Sequence, residues 1–387
     1  MKKMLVGCLL IFLLWNCKEK YVSPAITPAT GYLVVEGVIN AGTGLTNIVL
    51  KRTTKLDSAF VIYESGATVF VEGENNTQFN LLESSAGNYS SQGLSLNNAI
   101  KYRLNILTLD GKKYQSDFVS VQSTPPIDSV SWKQDTTGVQ LYINTHDPTN
   151  QTKYYQWDYT ETWEYHSPFL EYFKLKQINT SNGLQYEVVY LDPQGVSFDT
   201  TIIKCWPTAN STNILLGSTV SLSDNKIMLP LNFIPASSVK INYLYSILTR
   251  QYSLSVGKYQ FLQKMKKNTE STGSVFDAQP SELVGNIHCI NNPAQPVVGY
   301  IDICQVKESR TFISKNQLRY WDYKTDCLAK VVYNNIDSIT SAQWGGFIPA
   351  MVHESSTTGG IISFIFSTPA CVNCTLLGTN IKPVYWP

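Results

Sequence analysis

Residues 101–121 read "KYRLNILTLDGKKYQSDFVSV". Two strand-like runs, "YRLNILTL" and "KKYQSDFVSV", flank Asp110-Gly111. Asp-Gly between such runs is a hairpin signal, because a tight turn needs residues that tolerate positive φ. Working upstream, "YLVVEGVIN" from Tyr32, then "NIVLKRTT", "ATVFVEG", "TQFNLLE" and "GNYSS" follow at short intervals. Short strands with regular turns predict an antiparallel β-sandwich of the immunoglobulin or fibronectin-III kind over 31–122. Pro125 and Pro126 in "STPPIDSV" cannot join a central sheet and set a boundary, with a second β-rich domain over 123–387.

Downstream, "IDSVSWK" and "GVQLYINTHDP" are again strand-like, and "FKLKQINTSNGLQYEVVYL" reads as a hairpin with Asn182-Gly183 at its tip. "KYYQWDYTETWEY" crowds aromatics into one strand. Side chains alternate along a strand, so Tyr155, Trp157, Tyr159 and Trp163 share one face with Glu161 and Tyr165. That row is either core or a ring-lined surface for sugars or peptides, since aromatics supply contact area at low entropy cost. One segment, "SVGKYQFLQKMKKNTE", breaks the β pattern. Val256, Tyr259, Leu262 and Met265 recur every three residues, Ser255 can cap the start, and lysines gather near the end. A single helix is expected near 255–268.

The chain begins "MKKMLVGCLLIFLLWNCKEK". Two lysines, a short apolar run and Cys17 form a lipoprotein signal over 1–16, with Cys17 as the lipidated residue and 17–30 as a tether. The apolar run is too short to span a bilayer of ~30 Å. Lys18, rather than Asp, follows Cys17, which favours an outer-membrane destination. The balance of 30 basic and 29 acidic residues argues against a nucleic-acid binder. Aromatics at 12% against charged residues at 15% suit a β-rich exported protein.

Six cysteines remain beyond the signal: Cys205, Cys289, Cys304, Cys327, Cys371 and Cys374. In an exported chain an even number favours disulfides. Cys371 and Cys374 form a Cys-x-x-Cys, but no βαβ pattern surrounds them, so a thioredoxin-like role is disfavoured. A zinc site with Cys327 and His353 has no compact spacing. A clamp from Cys327 to Cys371 or Cys374, tying down the tail and docking Tyr385 and Trp386, is expected.

Catalytic signals are sparse. The four histidines, His146, His166, His288 and His353, sit in no metal spacing, and the chain has neither a G-x-S-x-G elbow nor a phosphate loop. Asp110, Asp128, Asp147 and Asp158 lie near strand ends, where turn stabilisation outweighs calcium binding. No enzyme, metal or cofactor is expected.

"LVVEG" after a short tether, "PPIDSVSW", Cys205-Trp206, "GNIHC", "VVGYIDI", "SRTFI" and "CVNCTLLGTNIKPVYW" together resemble the Bacteroidota family of unknown function numbered 4249. The resemblance implies an outer-membrane lipoprotein, often encoded beside TonB-dependent receptors, with no catalytic residues to carry over. Two functions are therefore expected to compete. One is an accessory or substrate-binding partner of a TonB-dependent transporter. The other is a structural or adhesive surface lipoprotein without a small ligand.

Overall fold

The computed structural model describes residues 31–55, 58–181, 183–192, 198–270 and 283–387. The signal 1–16, Cys17, the tether 17–30 and Asn182 lie outside the described residues. The protein is mainly β, with several antiparallel sheets.

The expected hairpin forms. Ile106 pairs with Tyr114 and Leu107 with Lys113. Thr108 N–H bonds the Lys112 carbonyl at 3.0 Å, enclosing a three-residue loop. Gly111 takes φ +79° there, the left-handed position such loops require. The Asp110 carboxylate accepts from the Thr108 hydroxyl and pairs with Lys112.

This hairpin belongs to one nearly closed, barrel-like sheet. Its order is Ile287–Cys289, Lys113–Ser116, Lys101–Leu107, Thr68–Gly73, Gln78–Ser85, Asn88–Gln92, Leu45–Arg52, Leu33–Asn40 and Val298–Gly299. Inward-facing Leu33, Val35, Ile48, Leu50, Val69, Val71, Leu104 and Ile106 form its core, together with Ile287, Ile301 and Ile303. The two edges meet through Asn286. Its Oδ1 accepts from Ile301 N–H at 2.8 Å, and its Nδ2 donates to Ile301 O at 2.9 Å. Gly285 lies so close to Gly299 that an added Cβ would come within 1.7 Å of the Gly299 carbonyl oxygen.

Two expectations are corrected here. The first unit is a curled sheet around one core rather than two packed sheets. Its limits are not 31–122, because 285–304 returns to complete it. Those strands occupy edges that would otherwise present unpaired backbone groups. Pro125 and Pro126 do mark the point where the chain leaves the barrel, and the next strand starts at Ile127.

Among the described residues, the region after residue 123 holds two further large cores rather than one, with smaller clusters around Cys205 and Cys374 and under the helix. In the first, the sheet of Ile127–Gln134, Gly138–His146 and Lys226–Pro235 shares a core with the sheet of Tyr154–Trp163, Leu244–Ser253 and Lys307–Ser314. In the second, the hairpin Phe173–Thr180 and Gly183–Tyr190 packs with Lys330–Tyr333, Ile348–Ser355 and Ile361–Ser367 around Phe173, Phe364 and Phe366.

The expected helix spans Val256–Glu270, and Ser255 Oγ accepts from Lys258 N–H at 3.2 Å. It is not the one helix. Ile336–Trp344 is a second, with Asn335 Oδ1 capping Ser338 N–H, and Pro369–Val372 adds a single turn. "IDSITSAQW" was unreadable as a helix because only Ile339, Thr340 and Ala342 are buried among its hydroxyl-rich residues.

The clamp exists, in a fuller form. Cys327 bonds Cys371, and Cys374 bonds Cys205. The Cys-x-x-Cys therefore fastens two distant segments rather than forming a pair. The tail docks as expected: Trp386 is buried, edge-on to Trp206 and Phe312, and its Nε1 reaches Glu164 Oε2 at 3.3 Å. Arg310 stacks over Tyr385 at 3.5 Å. Cys289 and Cys304 correct the disulfide expectation for those two positions. Both are buried free thiols, Cys289 in the barrel core and Cys304 at its edge.

Candidate functional site

Tyr154–Trp163 is a central strand, flanked by Leu244–Ser253 on one side and by Thr208–Asn210 and Leu215–Ser218 on the other. Its two faces have opposite fates. Tyr155, Trp157 and Tyr159 point into the core shared by the two sheets, with Trp163 half-buried at its margin. Trp157 Nε1 donates to Gln251 Oε1 at 2.8 Å, and Tyr155 stacks parallel to Trp157 at 5.7 Å. The proposed binding row of Tyr155, Trp157, Tyr159 and Trp163 is thus corrected: those rings are packing, because a second sheet covers that face.

Glu161 lies on the same buried face and is held by three groups. Lys240 Nζ stands at 2.6 Å, Tyr245 Oη at 2.8 Å and Asn232 Nδ2 at 2.8 Å. Removing the carboxylate strands all three donors. Glu161→Ala is expected to lower stability by about 2 kcal/mol, read by urea denaturation. A change within error would show that these donors are satisfied without it.

The opposite face carries Tyr154, Gln156 and Asp158, and it fronts a cleft of about 1020 Å³. The barrel strand Leu33–Asn40 supplies one wall through Val34, Glu36 and Val38, and the helix supplies Phe261, Leu262 and Met265. The floor is a charge network. Asp158 accepts from Arg250 Nη1 at 2.9 Å and from Tyr252 Oη at 2.7 Å, while Arg250 Nε lies 3.2 Å from Glu308. Burial and the adjacent Asp158 push the Tyr252 phenol far above its ordinary value, so it donates throughout the physiological range. Gln156 Oε1 is buried with no hydrogen-bond partner among the described residues. The cleft therefore pairs an apolar helix wall with a polar floor that has an unused acceptor.

Behind the cleft lies a second polar cluster. Lys258 Nζ donates to the Tyr300 carbonyl at 2.5 Å, and Asp302 Oδ2 accepts from Ser255 N–H at 2.7 Å. Asp302 Oδ1 has no hydrogen-bond partner among the described residues. Desolvation raises Asp302 from 3.8 to about 6 and lowers Lys258 from 10.5 to about 8, and burial pushes the Cys304 thiol up to about 12. Because Asp302 is raised on folding, its contribution to stability is complete below about pH 4 and lost as pH rises through about 6. Lys258 is depressed, so its contribution is complete above about pH 10.5 and lost as pH falls through about 8. Asp302→Asn is expected to flatten the stability profile between pH 4 and 6 by about 2–3 kcal/mol, measured as urea midpoints across pH. An unchanged slope in the variant would assign that limb to other groups.

The remaining candidates are placed elsewhere. His146 Nδ1 meets the Asp128 carboxylate at 2.7 Å on an exposed surface. His166 meets Glu164 at 2.8 Å, His288 meets Asp117 at 3.1 Å, and His353 meets Ser363 Oγ at 3.0 Å. Asp147 accepts from the Thr149 hydroxyl and from the backbone N–H groups of Thr149, Gln151 and Thr152, the turn role expected of it, and against the raising effect of burial these bonds hold its carboxyl down at about 2. Among the described residues no three His, Cys, Asp or Glu side chains cluster as a metal site. No helix among them is long and apolar enough to cross a membrane.

The profile of the family described as "Domain of unknown function (DUF4249)" matches residues 19–310. The chain belongs to that family. The matched span contains the barrel, its closing strands, the helix and the cleft floor, and it ends before the clamped tail. The family resemblance carried by the terminal "CVNC" run therefore lies outside the matched residues. Among curated proteins, none matches the chain.

Sequence reasoning found the right strand and the wrong face. The cleft residues Gln156, Asp158, Arg250 and Tyr252 come from two strands far apart in the chain, and alternation alone does not say which face a second sheet will cover. A usable signal was the run of polar alternates, Gln156, Asp158 and Thr160, between the rings. Polar residues on a β-strand mark the face away from the core.

Proposed function

We propose that this chain is a non-enzymatic, lipid-anchored outer-membrane protein that acts as an accessory, substrate-binding partner of a TonB-dependent transporter. The observation that carries this reading is the cleft of about 1020 Å³ between barrel, helix and second unit. It has the make-up of a binding site: apolar walls, a few convergent polar groups and one buried acceptor left over. The basic–apolar–Cys17 start supports export and anchoring, and the two disulfides suit an oxidising compartment. The two sheets that bury Trp157 are read as an immunoglobulin-like sandwich, a scaffold that commonly presents recognition surfaces.

The test is affinity purification of the tagged full-length chain from outer membranes, with co-purifying proteins identified by mass spectrometry. A TonB-dependent receptor is expected, and Met265→Glu in the cleft is expected to abolish substrate retention while leaving the receptor bound. Recovery without any receptor would sink the accessory role. Loss of surface attachment with unimpaired uptake, in cells lacking the protein, would favour the structural or adhesive reading.

A further inference from the structure

One end of the barrel is capped by apolar side chains that the fold leaves uncovered. Phe60 and Leu109 are each 80% exposed and Leu82 is 74% exposed, with Val61, Ile62 and Ile290 also exposed. These residues are far apart in sequence but meet at one end by strand direction. Leu45–Arg52 runs toward it, Gln78–Ser85 ends there, Lys101–Leu107 ends there, and Cys289 pairs with Tyr114 beside it. Lys55 and Lys113 stand exposed at the same end. Three acidic groups described at this end have partners of their own. Glu64 holds Arg52 at 2.5 Å, Glu83 accepts from Gly66 and Gly87 N–H, and Asp110 pairs with Lys112 at 2.9 Å.

The N-terminal segment enters the fold at this same end. Gly31 N–H bonds the Thr53 carbonyl at 2.8 Å, Arg52 Nη1 donates to the Gly31 carbonyl at 3.1 Å, and Arg52 pairs with Ile62. Cys17 thus lies 14 residues along the chain from the apolar end, a reach of at most about 45–50 Å. The opposite end is tied to the second unit, with Val306 N–H on Asn40 Oδ1 at 3.2 Å.

We propose that this barrel end is a membrane-docking face: Phe60, Val61, Ile62, Leu82, Leu109 and Ile290 enter the headgroup–acyl boundary of the bilayer. The proposal rests on the lipid-anchored reading above. Apolar tips with lysines beside them match an interface where hydrocarbon meets phosphate. The bilayer is the favoured occupant because a lipid at Cys17 would hold it at high effective concentration beside the chain's point of entry, which is at this end. Docking also fixes orientation: the barrel axis stands upright, and the cleft, lined from Val34 to Asn40, runs along the side of the barrel rather than facing the lipid.

The experiment uses the full-length lipidated protein reconstituted in phosphatidylcholine–phosphatidylethanolamine vesicles whose acyl chains carry bromine, a tryptophan quencher. Phe60→Trp places an indole on the apolar end, and Leu45→Trp places one at the opposite end, each read against the unmodified chain. Both sites are exposed, so folding is expected to survive. At least half of the emission added by Phe60→Trp is expected to be quenched, with that added by Leu45→Trp unchanged. Mass spectrometry of the Cys17 peptide reports the lipid separately. Unquenched emission from Phe60→Trp in chains that carry the lipid overturns docking while leaving the anchor intact. A Cys17 without lipid overturns the anchor and, with it, the argument for this occupant. Dimerisation through this end, with no quenching in vesicles, assigns the face to a second copy and also overturns the proposal.

Discussion

Trp157→Ala is expected to remove about 3–5 kcal/mol of stability, the range for deleting a large ring from a packed core. The indole is 2% exposed, donates to Gln251 and closes against Gly217, where an added Cβ would meet its ring at 2.7 Å. Truncation leaves both a void and an unpaired Gln251 Oε1. Gln156→Ala, one residue earlier on the other face, is expected to change stability by less than about 0.5 kcal/mol, since it removes an acceptor that bonds nothing. Urea denaturation of the two variants separates the faces. Equal, small losses would show that the row of rings is surface after all.

Reduction is expected to have the second large effect. Cys205–Cys374 closes 169 residues and Cys327–Cys371 closes 44. In the chain-entropy description these contribute about 5 and about 4 kcal/mol respectively, as separate upper figures that do not simply add. Cys374→Ala should therefore destabilise more than Cys371→Ala, although the two cysteines stand three residues apart. It frees the stretch 374–387, so Trp386 leaves its place between Trp206 and Phe312. Thermal melts with and without reductant test this, and a chelator should leave the melting temperature unchanged. Equal melting temperatures for reduced and oxidised protein would show that packing alone holds the tail.

The sequence was readable where a signal is local. Asp110-Gly111 marked its hairpin, Gly183 the hairpin Phe173–Thr180 with Gly183–Tyr190, and Ser255 the start of the helix, because turn and cap chemistry is decided within a few residues. Register within the helix was less clear. The apolar triplet spacing from Val256 pointed to one stripe, yet Val256 is exposed and Lys258 is buried in its place. A charged side chain at a core position is invisible to a search for apolar period, since its compensation, the Tyr300 carbonyl, comes from 42 residues away. The disulfide partners and the closing strands 285–304 were illegible for the same reason: each is fixed by tertiary approach. The cleft was the hardest, being bounded by at least five segments that no local pattern connects.

The closure of the barrel by residues 285–304 has a consequence for how the chain is made. Seven of the nine strands in its order emerge early, but the two that fill its edges, Ile287–Cys289 and Val298–Gly299, follow the whole of the second unit's central strands. During synthesis and export the N-terminal sheet must wait with both borders open, exposed to pairing with a neighbour. Long-range closure of this kind is slow, because loop entropy is spent before the contacts reward it. A chain cut at residue 122 would retain every strand of the hairpin meander and still lack a stable form. It should aggregate through its borders, whereas a chain carried to residue 310 holds all that the ring needs.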